Sequence, residues 1–127
     1  MEVKTFEDLE VWQIGRDLVS EVYALTASLP QSEAYGLVGQ IKRAALSVPA
    51  NIAEGFGRYH YMDKARFYLN ARGSLYELKS HLLIARDLEY LRRSQPVSDV
   101  LTLIDNLGLK LNNLVAATRN LKSKESQ

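Results

Sequence analysis

Apolar residues recur three and four positions apart along nearly the whole chain, and the breaks in that rhythm fall at Pro, Gly or Ser. The first stretch carries Val11, Ile14, Leu18, Val22, Leu25 and Leu29. The second carries Val38, Ile41, Ala45, Val48, Ile52 and Gly55, the third Tyr68, Ala71, Leu75, Leu78, Leu82 and Ala85. The fourth runs through Val100, Ile104, Leu107, Leu111, Leu114 and Thr118. No stretch alternates with the period of two that marks a half-buried strand. The pattern predicts four helices, over about residues 6–28, 33–56, 62–90 and 96–121.

Steps of three and four average 3.5 residues per turn, the seam that helices present to one another at shallow crossing angles. With short connections near Pro30, Tyr59 and Ser94, sequential helices are expected to run antiparallel. The predicted fold is therefore all-α, one domain over residues 1–127, an antiparallel up-and-down four-helix bundle. Thr5 and Asp8 form an imperfect capping box ahead of helix 1. Gly57 suits a left-handed cap at the end of helix 2. Pro49, inside helix 2, removes one N–H donor and crowds the carbonyl of Ala45, so a kink is expected there. Residues 123–127 read as a frayed polar tail.

Composition changes the picture little. Apolar residues make up 46% and charged residues 24% of 127, which is the balance of a folded soluble domain. No apolar run approaches the ~20 residues of a membrane span, and the acidic first ten residues do not resemble an export signal. With no cysteine there is no disulfide or thiolate chemistry, and a reducing, cytoplasmic setting is the expectation. Sixteen basic against fifteen acidic residues leave a formal charge of +1, so any attraction to nucleic acid must come from charge placement.

No catalytic, cofactor or metal site is expected. The di-iron bundle signature needs a Glu and a His three residues apart on each of two helices. Glu77 and His81 are four apart and occur once, and His60 falls in a connection. Glu54-Gly55-Phe56-Gly57-Arg58 follows no strand and lacks the Lys-Ser/Thr ending of a phosphate-binding loop.

One row rises above background. Beside the core seam of helix 3 lie Leu69, Arg72, Tyr76, Lys79, Leu83, Arg86, Tyr90 and Arg93, apolar and basic residues in turn. Three readings stay open. The row is a nucleic-acid face, with cations on phosphates and tyrosines stacking. It is a subunit interface, with the helix 1 acids Glu7, Glu10, Asp17 and Glu21 of a second copy opposite. Or long basic side chains flank the core and cover it with their stems. On helix 2, small residues at Ala44, Ala45, Ser47, Ala50, Ala53 and Gly55 permit close packing. Pro49, Asn51, Glu54, Gly55 and Gly57 are read as a packing set, with a patch shared by Arg43 and Arg58 as the alternative.

Several segments together resemble a known family. They are Phe6-Glu7-Asp8-Leu9-Glu10-Val11-Trp12, the run from Gln40 through Ala44-Ala45-Leu46-Ser47-Val48-Pro49-Ala50-Asn51-Ile52-Ala53-Glu54-Gly55, the pair Gly57-Arg58, and Leu82-Leu83-Ile84-Ala85-Arg86-Asp87-Leu88. The chain resembles the bacterial four helix bundle protein family, encoded by intervening sequences in 23S rRNA genes. The resemblance implies a homo-oligomer, a pentameric ring, without known catalytic activity. Accessory variability determinant proteins of diversity-generating retroelements look similar and bind nucleic acid and a protein partner through a basic surface. By that likeness Arg43, Arg58, Arg72, Lys79 and Arg86 become candidate contacts to RNA or DNA. A ring presenting its basic face to an acidic protein partner is the alternative.

Overall fold

The computed structural model describes residues 2–33, 35–92 and 94–125, with side chains described up to residue 121. Four helices form: α1 (Glu10–Thr26), α2 (Leu37–Phe56), α3 (Tyr61–Asp87) and α4 (Gln95–Glu125). Among the described residues there is no strand. Each helix packs on two neighbours, α1 and α3 both lying against α2 and α4, so the four close a ring around one core. The seam read from the sequence is that core. Leu18, Val22, Ile41, Ala45, Val48, Ile52, Leu75, Leu78, Ile104, Leu107 and Leu111 are buried, while Ile14, Leu25, Val38 and Leu114 pack at its edge.

Contacts of α2 with α3, of α3 with α4 and of α1 with α2 step in opposite directions along the two helices of each pair. Ser47 meets Ser74 while Gly55 meets Phe67 and Tyr68. Arg72 meets Asn112 while Lys79 meets Asp105. On the remaining faces Gly15 lies beside Pro49, Lys42 over Tyr23, and Glu10 against Lys110.

The element ends differ from expectation for local reasons. The Asp8 carboxylate accepts the N–H groups of Lys4 and Thr5, which also hold its pKa below the ordinary value, but this arrangement closes a separate 3₁₀ turn, Phe6–Asp8. The α-helix proper starts at Glu10. Helix 2 starts four residues later than read, at Leu37, because residues Gln31–Glu33 form another 3₁₀ turn and Gly36 takes the N-cap position. The Glu33 carboxylate then accepts the Leu37 N–H at 3.3 Å. Helix α2 is continuous through Pro49, whose ring faces Gly15, where an added Cβ would lie 3.5 Å from the proline Cβ.

The left-handed cap is not at Gly57, whose φ is −77°. It is at Glu89, with φ of 65°, after α3. There the Glu89 N–H donates to Arg86 O and the Tyr90 N–H to Ala85 O, the paired bonds of a Schellman motif that satisfies two orphan carbonyls. This cap ends α3 at Asp87, short of the expected residue 90. At its C-terminal end α4 continues to Glu125, so residues 123–125 of the expected tail are helical, and residues 126 and 127 lie outside the described residues. Pro96 falls in the first turn of α4, where no intrahelical N–H donor is needed.

Candidate nucleic-acid interface

The basic row of α3 forms the margin of its contact with α4. Arg72 Nη1 donates to Asn112 Oδ1 at 2.6 Å, and Lys79 Nζ meets Asp105 Oδ1 at 2.7 Å. Leu69 and Tyr90 pack against the core, and the Tyr76 hydroxyl lies 3.8 Å from where a Cβ on the buried Gly108 would stand. Leu69 and Tyr90 thus cover apolar surface within the same chain, while Tyr76 stays 52% exposed. Arg86 is half-buried, and its Nε is buried without a hydrogen-bond partner among the described residues. Arg93 lies outside the described residues. Of the helix 1 acids, Glu10 pairs with Lys110 of its own α4 and Asp17 with the adjacent Arg16 at 3.4 Å. Glu21 borders a cleft of about 780 Å³ near Tyr90 and Pro96.

On α2, Asn51 Nδ2 donates to Ser47 O at 2.8 Å and reaches Ser47 Oγ at 3.0 Å; Ser47 Oγ in turn meets Ser74 Oγ at 2.8 Å across the helix pair. These half-buried polar groups link α2 to α3. Gly55 is needed for the same contact: a Cβ there would stand 2.8 Å from Tyr68 Cε1 and 3.0 Å from Phe67 Cβ. Burial in this packing pushes the Tyr68 phenol up to about 12. Glu54 and Gly57 are exposed, as is Arg43, which makes no ion pair with any described residue.

The α2–α3 turn gathers a cluster of which the sequence pattern singles out only Arg58, and which includes the aromatic run Tyr59-His60-Tyr61. The Arg58 guanidinium carbon lies 4.4 Å from the centroid of the Phe67 ring, and that of Arg66 4.8 Å from the same centroid. Lys64 Nζ donates to Phe56 O at 2.6 Å, closing the C-terminal end of α2, and sits 5.2 Å from the Phe56 ring. Desolvation holds the Lys64 pKa below its ordinary value. Tyr59 is 88% exposed, and its ring meets that of His60 edge to face at 5.0 Å. The signal available in the sequence was Lys64 and Arg66 within one turn of Phe67, directly after the aromatic run. It went unread because Phe67 lies one position off the core seam.

Residues 7–113 match the family described as 23S rRNA-intervening sequence protein. The chain belongs to that family. The match covers α1, α2 and α3 whole and α4 to its middle, including every residue of the α2–α3 cluster. No curated protein matches the chain significantly. In this family member Glu77 and His81 meet at 3.3 Å, but no group of three or more His, Cys, Asp or Glu side chains is placed to hold a metal among the described residues. No helix among them is long and apolar enough to cross a membrane.

Proposed function

We propose that this chain is a non-enzymatic, self-associating, antiparallel up-and-down bundle of the cytoplasm that holds RNA or DNA with low sequence specificity. The opposite stepping of the interhelical contacts supports the antiparallel order. The observation that carries the binding reading is which cations stay uncompensated. Lys79 is paired with the Asp105 carboxylate and Arg72 is held, though not neutralised, by the Asn112 amide, whereas the exposed Arg43 and Arg58 have no carboxylate partner among the described residues. With a formal charge of only +1, such local surplus is the available source of attraction to a polyanion. Binding of this origin is sequence-tolerant and falls as salt rises, because it rests on counterion release. The test is light scattering at low and moderate salt, with and without polynucleotide. The expected outcome is a discrete multiple of 14.3 kDa that gains mass with nucleic acid and sheds it with salt. A mass indifferent to RNA and DNA sinks the reading.

A protein adaptor is the second reading, and the observation in its favour is apolar exposure. Leu46 on α2, Ile84 on α3 and Leu88 at the C-cap of α3 are each about half exposed. The same residues serve self-association, for which a pentameric ring is the assembly proposed.

A further inference from the structure

The geometry points to a seat for single-stranded nucleic acid at the α2–α3 turn, where Arg58 and Arg66 hold backbone phosphates and Tyr59 stacks on an unpaired base. The inference rests on the nucleic-acid reading above and adds its place and its preference for unpaired strands. Both guanidiniums are fixed on one nearly buried ring, Phe67, which puts their carbons within about 9 Å of each other. Two like charges so close, near one Debye length of ~8 Å at physiological salt, favour an anion between or beside them. Of the acids nearby, Glu54, one turn before Arg58, makes no ion pair with it, while Asp63 forms an exposed ion pair with Arg66 at 3.8 Å that screens that charge in part and leaves Arg58 the unpaired cation of the two. Arg58 makes no hydrogen bond through its guanidinium to any described residue, so its planar fork is oriented by stacking while its donors remain available.

The aromatic member favours one ligand class. An acidic protein surface would pair with the arginines and use Tyr59, 88% exposed and next to Arg58 in sequence, as plain contact area. A duplex offers phosphates but keeps its bases stacked inside. A single strand offers both phosphates and free base faces, in RNA and DNA alike. Lys64 is committed to Phe56 O and frames the seat without being one of its phosphate contacts.

The test uses the full chain and fluorescence anisotropy of labelled single-stranded and duplex oligonucleotides of equal length, in ribo and deoxy forms, across a salt series. Tyr59→Ala is expected to weaken single-strand binding at least about fivefold and leave duplex binding unchanged. Arg58→Ala with Arg66→Ala is expected to lower the slope of log affinity against log salt by about 1.4, at ~0.7 per single-strand phosphate contact. Arg92→Ala, which removes an exposed cation beyond the far end of α3, is expected to change neither. Circular dichroism on each variant checks that the fold is retained. If the wild type binds but the turn variants bind as it does, or Arg92→Ala weakens binding equally, this seat is overturned and the broader reading stands. If the wild type binds no oligonucleotide, both fall. If the same variants instead abolish capture of a polyglutamate probe while oligonucleotides do not bind, the face is an acidic-protein contact and the inference is overturned.

Discussion

Gly55 and Gly73 both sit inside long helices, yet a Cβ at each would meet different surroundings. At Gly55 it would stand 2.8 Å from a ring carbon of Tyr68, a residue 3% exposed and walled in by the core. At Gly73 nothing lies within 4 Å. Gly55→Ala should therefore destabilise by about 1–3 kcal/mol through overpacking. Gly73→Ala should stabilise by about 1 kcal/mol, the ordinary helix preference for alanine. Urea unfolding of the two variants checks both signs. The Tyr68 phenol carries a pH consequence. Its folded pKa is raised to about 12 from an ordinary 10 by burial, so the folded state favours the neutral form. That contribution is complete below pH 10 and is lost as pH rises through 12. In an alkaline titration, one of the seven tyrosines should ionise together with loss of helical dichroism, and Tyr68→Phe should remove that component. An unchanged phenolate signal in the variant would show that another group is responsible. At this scale the sequence was a partial guide. Gly55 was placed correctly on the seam, but Gly57 was given a left-handed cap that belongs to Glu89, because backbone φ follows where a helix is stopped by its surroundings and glycine only permits the conformation.

The four helices themselves were legible because burial of one stripe dictates a period, and period survives in composition alone. What periodicity leaves open is the partner of a residue lying next to the stripe. Arg72 and Lys79 were visible as cations beside a core seam, but Asn112 and Asp105 stand 40 and 26 residues further along, and only the packing of α3 on α4 brings them together. Exposed pairs of this kind contribute little. The Lys79 and Asp105 side chains are 33% and 60% exposed, and pairs in that setting are worth below about 1 kcal/mol. A double-mutant cycle of Lys79→Ala and Asp105→Ala should accordingly give a coupling below about 1 kcal/mol that shrinks further in high salt. A coupling of several kcal/mol would mean the margin is far better shielded from water than these exposures allow. The α2–α3 link is different in kind, since its Ser47, Asn51 and Ser74 groups are half-buried and leave polar atoms unpaired if one partner is removed. The small residues of α2, Ser47 among them, are legible in the sequence as a place for close approach, and Asn51 stands one turn from Ser47 on the same helix; the Ser47–Ser74 hydrogen bond depends on register between two helices and leaves no trace in the pattern of either.

For the molecule as a whole, the outer surface carries apolar area that the bundle does not use. Leu46 on α2, Ile84 on α3 and Leu109 on α4 are 49%, 45% and 66% exposed, and each sits on the side of its helix away from the core. Single exposed leucines are ordinary on a monomer, so exposure alone does not decide assembly. Substitution does, because the core of a protein interface excludes charge. Placed at an interface, Leu46→Glu or Ile84→Glu buries an unpaired carboxylate and should drive the assembly to a 14.3 kDa species, whereas five wild-type copies would weigh about 72 kDa. On a surface that faces only water, the same changes should leave mass and stability within a few tenths of a kcal/mol of wild type. Leu109→Glu is tested beside them because Leu109, at 66%, is the most exposed of the three. Loss of assembly in one variant and not the others would place the contact on that helix. A wild-type mass of 14.3 kDa would remove self-association altogether and leave the α2–α3 turn to act as a single seat, with the lower affinity of one site in place of a ring of them.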